Sequence, residues 1–132
     1  MNTFERFLSK QSHIIFSIIR FFFGFLFFSH GAQKLFGAFG GHGTMGSSEM
    51  LLAGIIEVIG GIAIALGIRA RYAAIVTACE MIYAYLTVHF PRGTWPIENG
   101  GELAVLYFLF FLYTIAYGSG PWSVDAWVSK KK

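Results

Sequence analysis

The most constraining feature of this chain is a long apolar run with ionisable residues inside it. Residues 13–36 are aromatic and aliphatic almost throughout, yet they include Arg20, His30 and Lys34, and they close on His30-Gly31-Ala32-Gln33-Lys34-Leu35-Phe36-Gly37. At ~1.5 Å per residue the run is long enough to cross a hydrocarbon core of ~30 Å. Ionisable side chains at such depth are costly unless they find partners or water. A chain with this run is expected to be a membrane protein with a polar interior, and its other segments must supply the partners. Composition agrees. Of the 132 residues, 55% are hydrophobic and 13% charged, and the mean hydropathy is +0.60. A soluble domain of this size would carry more polar surface.

Three more apolar segments follow, at about residues 50–68, 71–90 and 102–118. Between spans one and two, at residues 37–49, lies a Gly/Ser-rich loop in which Ser47 or Ser48 can cap the next helix. Arg69-Ala70-Arg71 leaves only a few residues between spans two and three, so these form a tight antiparallel hairpin. Pro91 ends span three, and Gly118-Ser119-Gly120-Pro121 ends span four. The predicted fold is an all-α, four-transmembrane-helix antiparallel bundle, with residues 1–132 as a single membrane domain. Residues 1–12 read as a short polar lead, and the tail with Trp122 and Trp127 as a short turn on the membrane surface. A cleaved secretory signal is not expected, because the first run is too long, Arg20 interrupts it and no small-x-small site closes it.

Four spans put both termini on one side. Arg6, Lys10, Arg69, Arg71 and Lys130 to Lys132 fall on that side, whereas only Lys34 and Arg92 lie near the other. The bias places both termini in the cytoplasm and the loops at 37–49 and 91–101 outside. Ala70, Ala74 and Ala78, and likewise Gly61 and Ala65, recur at spacings that let helices approach closely in lipid.

Depth from the segment ends sorts the charges. Arg20 and Glu80 lie about 9 and 13 Å from the cytoplasmic side, close enough for a structural ion pair. His30 and Glu57 lie about 9 and 10 Å from the outer side, with Lys34, His89 and Glu102 near that surface. Five ionisable groups exceed what helix contacts alone require, so His30, Lys34, Glu57, His89 and Glu102 are candidates for ligand binding or proton handling. No His-x-x-x-His or Glu-x-x-His spacing supports a metal site, and none is assigned. Haem between His30 and His89 is the weaker reading, since each histidine also serves as a hydrogen-bonding residue near a helix end. The single cysteine, Cys79, excludes an autonomous dithiol oxidoreductase. The net charge of +3 is spread over segment ends and gives no nucleic-acid footprint.

Taken together, several motifs resemble the DoxX family. They are Arg20 with Gly24, His30-Gly-x-x-Lys34-Leu-Phe-Gly37 and Glu57-x-x-Gly60-Gly61 running to Gly67-x-Arg69. Met81, Ala84 and His89 follow, then Asn99-Gly100-Gly101-Glu102, and last Gly118-Ser-Gly120-x-x-Ser123-x-Asp125. The resemblance covers nearly the whole chain in order. It implies a four-helix protein of the bacterial cytoplasmic (inner) membrane. Among relatives, a DoxD-type subunit belongs to thiosulfate:quinone oxidoreductase, and another joins a superoxide dismutase and a sulfurtransferase in a membrane complex. No catalytic motif transfers from them.

The reading that follows is a membrane subunit associated with redox chemistry. It would bind a quinone or another small molecule at an outward-facing polar cavity. It would act with oxidoreductase partner proteins rather than as an autonomous enzyme. The rivals are a small-molecule binding or transport module, which would need a homo-oligomer, and a structural membrane anchor with every charge paired.

Overall fold

A computed structural model describes residues 2–43 and 47–131. All regular structure among these is helical: α1 (Thr3–Phe36), α2 (Ser48–Leu66), α3 (Ala70–Ala84), α4 (Pro96–Asn99), α5 (Glu102–Tyr117) and α6 (Val124–Ser129). Three stretches, Thr3–Phe36, Ser48–Leu66 and Ala70–Arg92, are long and apolar enough to cross a membrane. The fourth apolar helix, Glu102–Tyr117, has 16 residues and spans about 24 Å, somewhat less than a full hydrocarbon core.

Local signals account for the helix limits. Helix α1 starts at Thr3 rather than after a polar lead, because Asn2 and Glu5 form a capping box. The Asn2 side chain accepts from the Glu5 N–H at 2.8 Å, and the Glu5 carboxylate accepts from the Asn2 N–H at 2.8 Å. The same helix therefore runs continuously through the first apolar segment for 34 residues. It stops at Gly37, whose left-handed backbone (φ 66°) closes the helix as glycine does most easily. Ser47 caps α2, accepting from the Met50 N–H at 3.5 Å. Beyond α3 the chain widens into a π-helical turn, Tyr85–His89, before Pro91 ends the run.

Helix α1 packs most extensively on α2, and α3 on α5, with α2 and α3 joined by the short turn at residues 67–69. Two glycines on each of the first two helices, seven residues apart, set the α1–α2 contact. A Cβ on Gly31 would lie 2.6 Å from the Val58 nitrogen and 2.8 Å from the Gly54 oxygen. On Gly61 it would lie 2.5 Å from the Phe28 nitrogen and 2.7 Å from the Gly24 oxygen. Backbone meets backbone here, as small residues permit in lipid. On α3 the expected stripe of Ala70, Ala74 and Ala78 is buried throughout.

Between these two helix pairs lies an aromatic core. Phe23 stacks on Phe110 at 4.2 Å, Phe27 meets Phe111 edge-on at 4.9 Å, and Phe16 lies 4.3 Å from Tyr117. The outward faces carry Phe22, Leu26, Ile59, Leu106 and Leu109, all exposed. Such a surface suits lipid rather than water.

Arg20 does not pair with Glu80. It is buried (3% exposed), and its guanidinium donates to the backbone carbonyls of Ser119 and Trp122, the latter at 2.7 Å. Neither carboxylate oxygen of Glu80 has a hydrogen-bond partner among the described residues. Carbonyls beyond a helix C-terminus lack intrahelical donors, and a buried cation on a long stem satisfies them. A second tie joins the same tail to the α2–α3 turn. The Asp125 carboxylate accepts from the Arg69 N–H at 2.8 Å and from the Ser119 hydroxyl at 2.5 Å.

Candidate functional site

Four of the five residues assigned to the outer cluster line one cavity. It has a volume of about 240 Å³ and lies among α1, α2, α3 and α5. His30 and Lys34 reach it from α1, one turn apart on the same helix face. Glu57 reaches it from α2, His89 from the π-helical turn, and Tyr107 from α5. Phe27, Met81 and Ala104 provide its apolar wall. Glu102 is not part of it. That residue opens α5 and is exposed, which suits a carboxylate at the positive end of a helix.

The cavity holds one closed ion pair. Lys34 Nζ donates to Glu57 Oε1 at 2.6 Å, with the Glu57 side chain 4% exposed and that of Lys34 27% exposed. The ammonium on its long stem reaches inward to the carboxylate, so the pair sits deeper than the Lys34 backbone. The second carboxylate oxygen of Glu57, Oε2, is buried and has no partner among the described residues.

His30 and Tyr107 are placed differently. Their rings meet edge to face with centroids 6.0 Å apart, and both line the cavity. Neither the His30 ring nitrogens nor the Tyr107 hydroxyl hydrogen-bonds to another described residue. The cavity thus offers an imidazole, a phenol and an ion-paired ammonium beside an apolar wall. This set can hold a small polar ring or headgroup by hydrogen bonds and exchange a proton with it.

His89 is held by the outer loop. Its Nδ1–H donates to the Asn99 carbonyl at 3.2 Å, which leaves Nε2 as the acceptor nitrogen. Asn99 is itself buried (3% exposed). Its amide donates to the Gly93 carbonyl at 2.8 Å and the Tyr85 hydroxyl at 3.2 Å, and its Oδ1 accepts from the Gly101 N–H at 2.8 Å. One side chain therefore fixes the loop that delivers His89. The sequence reading assigned no such role to Asn99, although an Asn before Gly-Gly is a local signal for a side chain folded onto its own turn. Tyr107 carried no such signal, because its helix is apolar on every face.

Glu80 does not line this cavity, although Met81 and Ala84 of the same helix do. It borders an apolar groove of about 490 Å³ between α2 and α3, together with Leu52, Ile56, Ile75, Cys79 and Tyr83. A third hollow, also of about 490 Å³, lies beside Arg20, Trp122 and Trp127 at the other end of the molecule. Among the described residues no group of three or more His, Cys, Asp or Glu side chains could hold a metal ion.

Comparison with known proteins gives a family and no activity. The family model for DoxX matches residues 15–90. An uncharacterized protein of Haemophilus influenzae is 37% identical, an alignment that covers 94% of this chain and 98% of that relative. No solved structure matches. The matched segment holds α1 from Ile15, all of α2 and α3, and with them His30, Lys34, Glu57 and His89. With its apolar helices and this match over more than half its length, the chain belongs to the DoxX family of small membrane proteins.

Proposed function

We propose that this protein is a four-span subunit of the cytoplasmic membrane, folded as a single membrane domain, that binds a quinone headgroup in the cavity around His30. Oxidoreductase partner proteins would deliver or remove the electrons. One observation carries the reading. The imidazole of His30 and the hydroxyl of Tyr107 converge on one cavity with no hydrogen-bond partner among the described residues. A quinone presents two carbonyl acceptors on a flat apolar ring and takes up protons as it is reduced. A volume of about 240 Å³ suits the ring, and an isoprenoid tail would remain in lipid. Lys34, held by Glu57, supplies a positive field next to the carbonyls without moving. His89 lies close enough to take or return a proton. The excess of Lys and Arg at the termini and at the α2–α3 turn supports cytoplasmic termini, which puts the cavity on the outer half.

A structural anchor without a ligand would be favoured if every polar group in the cavity were paired. Lys34 meets that condition through Glu57 and His89 through Asn99, whereas His30, Tyr107 and the second oxygen of Glu57 have no partner among the described residues. Titration of purified protein with a short-tailed quinone, followed by quenching of intrinsic fluorescence, tests the proposal. His30→Ala and Tyr107→Phe should each weaken binding by about ten-fold, the value of roughly one hydrogen bond of 1.4 kcal/mol. Unchanged affinity in both variants, or no quenching in the unaltered protein, would refute it.

A further inference from the structure

Two carboxyl groups with buried oxygens line adjacent hollows, Glu57 the cavity and Glu80 the groove between α2 and α3. On α2, Gly60 sits against Thr77 of α3, with a Cβ on Gly60 only 2.5 Å from Thr77 Cγ2. The two helices run antiparallel through a tight turn, so one turn back along α2 and one turn on along α3 bring Glu57 and Glu80 level. Met81, the neighbour of Glu80, lines the cavity with Glu57, whereas Glu80 borders the groove. Three of the four carboxyl oxygens of this pair, Glu57 Oε2 and both oxygens of Glu80, are buried and have no partner among the described residues. The fourth accepts from Lys34.

Charge and hydrogen bonding constrain what such a group can be. The titratable groups that share these two hollows with the carboxyls are Lys34 and His30 from α1, His89 from the π-helical turn and Tyr107 from α5 in the cavity, and Glu49 from α2 with Cys79 and Tyr83 from α3 in the groove; Lys34 is the only fixed cation among them. One cation and two acids balance when the carboxyls hold one proton between them. A carboxylic acid also provides an O–H, the donor that the orphaned oxygens lack. Two bare carboxylates beside one ammonium would leave a net charge in a low-dielectric interior with nothing to offset it.

We propose that Glu57 and Glu80 share a single exchangeable proton, making Glu80 the inner station of a proton path that starts at the cavity. The proton moves from one carboxyl oxygen to the other through a bridging water. No bond to carbon changes and no electron is transferred. The inference rests on the reading of the cavity as a proton-handling site. It extends that site by a residue that does not itself line the cavity.

Infrared difference spectra of the purified full-length protein at neutral pH test this through the carbonyl stretch of protonated carboxyl groups. The expected result is one such band, shifted in heavy water. It should vanish in Glu80→Gln and equally in Glu57→Gln, because either substitution leaves one acid for one ammonium. Lys34→Gln should raise the band about two-fold, since both carboxyls then hold a proton. Absence of a band in the unaltered protein would overturn the proposal without requiring any variant to fold. So would a band that persists in Glu57→Gln, which would give Glu80 a proton of its own. Quinone titration of the same samples separates the two ideas. Binding without the band removes the shared proton and keeps the cavity reading. The band without binding keeps the shared proton and removes the quinone.

Discussion

The Lys34–Glu57 pair is the most consequential side-chain contact in the molecule, because its two members are unequally exposed. Glu57 is almost wholly buried and Lys34 about a quarter exposed. Removing the lysine leaves the buried Glu57 carboxyl without its partner and forces it to take up a proton, whereas removing the carboxylate leaves a cation that can turn outward. Lys34→Ala should therefore destabilise the protein by about 3 kcal/mol in detergent, and Glu57→Gln by less. The double variant should recover part of the loss, a coupling that thermal unfolding of the four proteins would measure. The sequence placed both residues in one outer cluster, Glu57 about 10 Å deep and Lys34 near the surface, without pairing them; the long lysine stem closes that difference. The same arithmetic misassigned Arg20 to Glu80. Depth counts charged side chains only, and the acceptors that Arg20 found are backbone carbonyls at Ser119 and Trp122, which every sequence possesses and none advertises. Tyr107 reads, like Tyr83, Tyr85 and Tyr113, mainly as a core or interface aromatic that could line a pocket, and nothing sets it apart from them, for a related reason. In a helix without a polar face no period marks the side that faces a cavity.

Close approach of backbones, rather than side-chain interlocking, decides how α1 meets α2. Gly31→Ala or Gly61→Ala would drive a methyl group into the opposite main chain, at 2.6 Å from Val58 N in the first case and 2.5 Å from Phe28 N in the second. Neither neighbour can swing aside, so each substitution should cost about 2 kcal/mol or more. Ile59→Ala, on a lipid-facing position 65% exposed, should change stability by under about 0.5 kcal/mol. Comparing melting temperatures of the three variants in one detergent checks the contrast. Small-residue spacing of four residues was legible on α3, where Ala70, Ala74 and Ala78 are buried as expected. The seven-residue spacing of Gly24 with Gly31 and of Gly54 with Gly61 was not singled out. It becomes informative only when the two helices are set antiparallel and the glycines fall opposite one another. The start of α1 at Thr3 was likewise readable in Asn2-x-x-Glu5, but the polar character of residues 3–12 outweighed the cap.

The tail binds the two helix pairs into one structure. Arg20 reaches it from α1, and Asp125 ties it to the α2–α3 turn through Arg69 and Ser119. Asp125→Ala removes two acceptor contacts and leaves the Arg69 N–H unpaired, a loss of about 1–2 kcal/mol that Asp125→Asn should partly restore. The same tail reports on how many times the chain crosses the membrane. Three stretches qualify by length and apolarity, and α5, at 16 residues, is shorter. If α5 also spans, by local thinning of the bilayer around it, α6 lies on the side of the N-terminus, where the basic residues gather. If α5 stops short, α6 lies on the side of the 37–47 loop. Single cysteines at His42→Cys and Ser129→Cys, each in a Cys79→Ala background, distinguish the two in intact cells. A membrane-impermeant maleimide should label the first directly and the second only after permeabilisation. Labelling of both in intact cells would make this a three-span protein and move the tail, with its clasp on Arg20, to the outer face. Labelling of Ser129→Cys alone would invert the molecule, so that the cavity of His30, Lys34 and Glu57 opened toward the cytoplasm and drew its protons from there.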